Sequence, residues 1–597
     1  MVTERGHVVD SDAETLCALS AVSTVPGDVM RHLRWLDILG RDAVTLRFFH
    51  ALSAAVTTLA TSLPPRVPDS DSREMALLTT SRLLFLSFLE TKAWLDSDFG
   101  FLANGFSDCM ATGGSYQRRV LEPLFFGTLN TRAAERAPRA RQFGRVPFLN
   151  GGLFSRTSVE RIHRRSRFTD EALGALFGDV LVRFRFTARE DAATWSQTAI
   201  DPEMLGKVFE SLMESGERKR GGVFYTPQHF VERVTHCALA ASLQTAGLSA
   251  DQAERVLSDD DHPRTPDHAL LDRLSSFRIL DPACGSGAFL VHALERLGHL
   301  RATLGDTRPL THIRRFVLSR SIFGVDSNPT AVWLCELRLW LSAVIDSDER
   351  DYMQIAPLPN LDRQIRVGDS LSGNAFSDGD TRFPPSRTVA ALRHRYSRSS
   401  GQRKLSLGRQ LDLTERARSM SALDLAITAA TFERREILRA ARSRNLFDER
   451  ATPPADARDR LLALRSRLRS LRRRRMAIAR GAAPAFAYGT HFSDAADAGG
   501  FDAIIGNPPW VRVHNMSAED RARYKEQYSV FRTSAWTDGA RGARAGRGFA
   551  GQVDLAALFV ERSTGLLTPN GTFGLLLPSK LWRSLSGGGL RQLILDR

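Results

Sequence analysis

Two hydrophobic periodicities divide the 597 residues. In the first third, apolar residues recur at helical spacing, as in "ALLTTSRLLFLSFLETKAWL" (76–95), and are broken by Pro- and Gly-bearing loops such as "RVPFLNGGLF" (145–154). This predicts a helical N-terminal domain over 1–195. Residues 196–275 read as a helical connector in which a polar, basic loop leads to "GGVFYTP", with Pro227 suited to the first turn of the next helix. From Arg278 the pattern changes to short apolar runs alternating with helices: "RILDPACGSGAFLVHAL", "IFGVDSNPTAVWLCELRLWL", "QIRVGDSL", "FDAIIGNPPW" and "GTFGLLLPSKLW". Alternation of this kind predicts an α/β fold, a largely parallel Rossmann-like sheet over 276–597 with its sites at the strand ends. Residues 380–490 interrupt it as a helical insert, in which "DARDRLLALRSRLRSLRRRRMAIA" (456–479) predicts a long Arg-rich helix. Residues 538–551, "DGARGARAGRGFAG", predict a mobile Arg/Gly loop.

Composition adds three things. The length suits about three or four domains, and 43% hydrophobic with 25% charged residues is a globular composition. Five scattered cysteines without a CxxC pair argue against a disulfide framework or a zinc site, and no metal site is expected. The N-terminus carries acidic residues where a signal peptide needs a basic start, and no apolar run approaches a membrane span, so a cytoplasmic protein without membrane contact is expected. The net charge of +15 is unevenly placed: residues 381–480 hold 26 Lys+Arg against 9 Asp+Glu, and the rest of the chain is nearly neutral. That block is a candidate contact for nucleic-acid phosphates or a solvated helical face. Glu90-Thr91-Lys92 has the acid-x-Lys form of metal-dependent nucleases, yet it sits inside an apolar helix without an upstream acidic partner. No Walker A lysine motif occurs.

The chemistry concentrates in two turns. "LDPACGSGAFL" (280–290) sets Gly285 and Gly287 at a strand-to-helix turn, where backbone can approach a ligand and the next helix presents its N-terminus. It is not the GxGxxG dinucleotide fingerprint, and Asp281 ahead of it can accept from a cationic amine. "FDAIIGNPPWVR" (501–512) ends an apolar run with an amide, two prolines and a tryptophan.

Together, "DPACGSG" and "NPPW" resemble the S-adenosylmethionine-dependent DNA adenine-N6 methyltransferases. The flanking "GGVFYTP", "GVDSNPTAVWLCELRLWL", "PNLDRQIRVGDSL" and "VDLAALFVERSTGLLTPNGTFGLLLPSKLW" are similar to the large Type IIG and phage-defence (BREX- or DISARM-type) members, over about residues 75–595. The resemblance implies a site-specific adenine methyltransferase acting on double-stranded DNA in restriction–modification or phage defence. It implies Tyr225, Thr226 and Pro227 at the cofactor's methionine end. Asp281, Pro282, Ala283, Gly285 and Gly287 would form the cofactor turn, Asp326 would accept the ribose hydroxyls, and Asp369 the adenine amino group. Asn507 and Pro508 would accept the two protons of the target amine, turning its lone pair toward the methyl group. Pro509 would stiffen the turn, and Trp510 would stack on a base rotated out of the duplex. Cytosine C5 chemistry needs a Pro-Cys nucleophile, and the one candidate, Cys284, lies in the cofactor turn. The alternatives are a protein or RNA N-methyltransferase and a non-catalytic or partner-dependent DNA-binding subunit of a defence complex. Family members continue beyond "LPSKLW" into a target-recognition domain. The resemblance therefore also implies a chain that lacks that part, either as a truncated or split product or with specificity from a separate subunit, and a sheet with an exposed apolar edge.

Overall fold

A computed structural model describes residues 17, 41–150, 152–186, 200–201, 204–206, 208, 226–258, 267–344, 351–372, 386–440, 457–512, 515–532, 554–584 and 587–596. The chain divides into two compact units, one made of Met1–Leu371, Ser397–Ser400 and Phe501–Arg597, the other of Ser372–Tyr396 and Gly401–Gly500. The predicted loop 538–551 lies outside the described residues, as does Tyr225.

In the first unit, α1 (Arg41–Ser62) packs on α2 (Asp69–Glu90). Phe48, Leu52, Leu59, Leu84, Phe85 and Phe88 are all buried there, as the helical spacing of their apolar residues requires. The same helix buries a charge. Arg82 is 1% exposed, donates from Nε to the Leu153 carbonyl at 2.7 Å, and pairs with Glu160, its Nη2 lying 3.0 Å from Oε2. Burial pushes the Glu160 carboxyl up, but the Arg82 guanidinium outweighs it and holds the group below the usual carboxylate range. Such a pair adds little net stability, although deleting one partner strands the other charge at a cost of about 3–5 kcal/mol. Glu90 is also occupied structurally: its Oε1 accepts from the backbone N–H of Leu102 at 2.8 Å, in the first turn of α3 (Phe101–Thr112).

Helix α4 (Gln228–Thr245) leads to the sheet. Five parallel strands follow, with β1 Ile279–Asp281, α5 Ala288–Thr303, α6 Leu310–Leu318, β2 Ile322–Asp326, α7 Pro329–Val344 and β3 Ile365–Val367 in succession. The chain then enters the second unit, with helices α8 (Gly401–Ala440) and α9 (Ala457–Ala479). It returns with β4 (Phe501–Gly506), α10 (Ala518–Gln527), α11 (Leu555–Thr564) and β5 (Leu567–Leu575). The strand order is β3-β2-β1-β4-β5. β1 is buried throughout, and β4 at five of its six residues, which explains why their sequences are apolar runs without alternation.

β5 departs from the sequence reading, which began the strand near Gly571. It starts at Leu567 and advances five residues while β4 advances two, from Phe501↔Leu567 to Ala503↔Thr572. The extra residues form a bulge. A Cβ on Gly571 would come within 2.9 Å of the Phe501 carbonyl oxygen, so this bulge requires glycine.

Among its described residues the second unit is helical. In α9 the residues that are not exposed are Ala457, Leu461, Leu464, Leu468, Leu471, Arg475 and Ile478, spaced alternately four and three apart. That is the seam of a coiled-coil pair, and Leu464 and Leu468 pack with Ala430 of α8. Arg393 forms a buried ion pair with Asp494 in this unit.

Candidate active site

In a sheet ordered 3-2-1-4-5, the chain leaves β1 toward one edge and returns at β4 on the other side. The carboxyl ends of β1 and β4 therefore flank the crevice where ligands bind in open α/β sheets. Asp281 ends β1 and Gly506 ends β4. A Cβ on Gly506 would lie 2.6 Å from Asp281 Oδ1, so only glycine lets the two strand ends come this close.

The β1–α5 turn is built by its own backbone. Gly285 and Gly287 have φ of +52° and +88°, in the left-handed region open to glycine. Gly287 is also the N-cap of α5, and a Cβ there would sit 2.7 Å from Cys335 Sγ and 3.2 Å from Cys335 Cα. This glycine thus lets the turn lie directly on α7. The Gly285 N–H donates to Asp326 Oδ2 at 3.0 Å and the Asn328 N–H to Oδ1 at 2.8 Å, joining the ends of β1 and β2. Burial pushes the Asp326 carboxyl up. Asp281 is 1% exposed and accepts from the Ala283 N–H at 3.0 Å. Burial pushes its carboxyl up to about 8; the Ala283 N–H opposes the shift and Asp326 adds to it. The Pro282 carbonyl accepts from Ser370 Oγ, which ties the turn to the segment after β3.

The second turn follows β4. Asn507 Nδ2 donates to Thr226 Oγ1 at 3.0 Å, while Asn507 Oδ1 is shielded from solvent and accepts no hydrogen bond from the described residues. A buried amide oxygen without a donor is costly unless something supplies one. Pro508 is buried, Pro509 half-buried and Trp510 exposed, with its indole N–H 3.4 Å from the Leu576 carbonyl. Two residues that the sequence reading did not single out brace this turn. Leu555 donates its N–H to the Val511 carbonyl at 2.9 Å, and the buried Asp554 beside it caps α11 and pairs with Lys580, Nζ to Oδ2 at 2.7 Å. No local spacing marks that pair.

The structure therefore brings together Asp281, Gly285, Gly287 and Asp326 on one side of the crevice and Thr226 with Asn507 on the other, with Gly506 touching Asp281. Pro227 is exposed at the N-cap of α4. Asp369 lies two residues past β3, where its carboxylate accepts from the Leu371 N–H at 2.9 Å and faces Arg523 of α10 at 3.2 Å. The glycine turn with Asp281 beside it fits an S-adenosylmethionine site, and the orphaned Asn507 oxygen across the crevice fits a second, amine-bearing ligand.

Family comparison gives the class first. Residues 320–597 match the Eco57I restriction-modification methylase family, and residues 259–373 match the DNA-methyltransferase domain of MmeI. Both are families of DNA methyltransferases of the restriction–modification type. Among individual proteins, the chain is 28% identical over 338 residues to a Methanocaldococcus jannaschii protein described as a type II restriction enzyme and methyltransferase. That match covers 52% of this chain and 28% of the relative. It is 32% identical over 111 residues to the adenine-specific methyltransferase PglX of Streptomyces coelicolor, covering 17% of this chain and 9% of that one. The chain thus spans less than a third of either relative. A solved structure of the Type IIL restriction-modification enzyme MmeI in complex with DNA aligns with a TM-score of 0.41 at 16% identity, over 87% of this chain and 48% of that one. Among the described residues no helix is long and apolar enough to cross a membrane.

Proposed function

We propose that this chain methylates adenine N6 in double-stranded DNA, with S-adenosylmethionine as donor, in restriction–modification or phage defence. One observation carries the reading: a buried Asn507 oxygen without a hydrogen-bond donor, at the end of the strand beside the glycine turn. The family matches and the likeness to the adenine-specific methyltransferase of Streptomyces coelicolor support it.

S-adenosylmethionine, when bound, supplies an electrophilic methyl group on a sulfonium. The protein supplies placement. Asp281 would accept from the cofactor's ammonium group, Asp326 from its ribose hydroxyls and Asp369 from its adenine amine, with Thr226 and Pro227 along its methionine end. Asn507 Oδ1 and the Pro508 carbonyl accept the two N–H protons of the target adenine. This aims the nitrogen lone pair, which is otherwise delocalised into the ring, at the methyl carbon. Thr226 fixes which end of the Asn507 amide faces the target, because its hydroxyl already takes the Nδ2 donor. Pro508 and Pro509 hold these acceptors in place, and preorganised acceptors need no rearrangement as the reaction proceeds. Trp510, exposed at the rim, stacks on the rotated base, an interaction worth about 1–3 kcal/mol. The test is transfer from labelled S-adenosylmethionine to mixed-sequence duplex DNA, with the modified base identified. N6-methyladenine is expected, and label on cytosine or on protein would refute the reading.

The site carries a pH signature. With its carboxyl pushed up to about 8, Asp281 is largely protonated at neutral pH in the free protein. An ammonium partner favours the carboxylate, so binding below pH 8 must expel a proton. Affinity for S-adenosylmethionine is therefore expected to rise with pH up to about 8, by as much as about tenfold per unit, and then to level off. Kd measured from pH 6 to 9 checks this, with Asp281→Asn expected to flatten the rise. A wild-type profile as flat as the variant's would take Asp281 out of the ammonium site.

A further inference from the structure

The helix α9 contains nine arginines, no lysine and a single acidic residue, Asp459. Its buried seam determines where those arginines point. Arg458, Arg465, Arg469 and Arg472 each directly follow a seam residue, so they share one face of the helix along its flank, and Arg473 stands beside them. All five are exposed, and none has an ion-pair partner among the described residues. Arg460 and Arg475 differ: they reach across the hairpin to Glu433 and Asp424 of α8. The two arginines paired with α8 thus lie apart from the five on this face.

An ordinary solvated helix face mixes both signs of charge, since unneutralised like charges repel. This face keeps one sign over fifteen residues, about 23 Å of helix rise. A duplex presents a phosphate about every 3.4 Å along each strand, so a stripe of this length passes several. Guanidinium groups engage phosphate oxygens in pairs, and the coiled-coil seam fixes the helix that carries them.

We propose that this arginine stripe of the second unit docks on the phosphate backbone of double-stranded DNA, independently of base sequence. The partner class rests on the DNA reading above; the stripe's position does not.

The test uses the full chain with Arg465→Gln, Arg469→Gln, Arg472→Gln and Arg473→Gln combined. Glutamine preserves helix propensity at these exposed positions and leaves the seam intact. Affinity for mixed-sequence duplex is measured across a range of salt concentrations. Each lost phosphate contact lowers the log–log salt slope by about 0.9, so the variant's slope is expected to fall by about 3 to 4, with S-adenosylmethionine binding unchanged. The matching Arg→Lys variant is expected to keep most of the slope. An unaltered slope in the glutamine variant overturns the proposal, and so does a wild type that binds single-stranded RNA and not duplex DNA. Failure of methyl transfer alongside the expected loss of slope would refute the enzymatic reading and leave the stripe standing.

Discussion

Asn507→Ala is expected to lower methyl transfer by about 10²–10³-fold or more, the range seen when one preorganised polar group facing developing charge is removed. Affinity for S-adenosylmethionine should change little, because the turn around Gly285 and Gly287 is held by backbone and by Asp326. The substitution removes the orphaned oxygen and leaves Thr226 Oγ1 without its amide donor. Thr226→Val provides a graded companion: the acceptor remains, but nothing selects its orientation. Its kcat is expected to fall by about tenfold, a lost hydrogen bond of roughly 1–1.5 kcal/mol, with a smaller change in KM for the cofactor whose methionine end Thr226 also lines. If KM rose and kcat held, Thr226 would act on the cofactor and not on Asn507. Full transfer by Asn507→Ala would end the proposed mechanism.

Gly287→Ala attacks the other wall. The left-handed conformation at φ +88° costs a residue with a Cβ about 1–2 kcal/mol. Overpacking against Cys335 Sγ, 2.7 Å from the new methyl group, adds about 1–3 kcal/mol. Because Gly287 is both the end of the turn and the cap of α5, relief of that clash must move the turn or α7. Cofactor affinity is expected to drop by at least about tenfold and Tm by several degrees. Adding Cys335→Ala removes the sulfur but not the Cα 3.2 Å away or the backbone strain, so rescue should be partial, and a double-mutant cycle measures it. Unchanged Tm and Kd in the single variant would show that the turn has slack absent from this structure.

Local order made much of the molecule legible. An apolar run ending in acid, proline and two glycines reads as strand, turn and helix from neighbouring residues alone. Asp281, Gly285 and Gly287 were therefore identifiable before any tertiary contact was known, and so was the helix that runs from Ala457 to Ala479. In the same way, Asn507 between Gly506 and two prolines stood out as a strand end that a core does not need.

Tertiary structure decided the contacts that these residues make. Thr226 and Asn507 are 281 residues apart, and they meet because α4 packs on β4 and β5. The need for glycine at 506 comes from Asp281, a neighbour only because β4 pairs with β1. Glu90, with a nuclease-like spacing in one dimension, turned out to accept a backbone N–H from Leu102. The division of α9 arginines into paired and unpaired groups depends on where α8 lies. Periodicity and turn chemistry are properties of a few consecutive residues and can be read directly. Strand order and helix pairing emerge from how distant apolar faces share one core, and the orientation of a polar group follows from that arrangement.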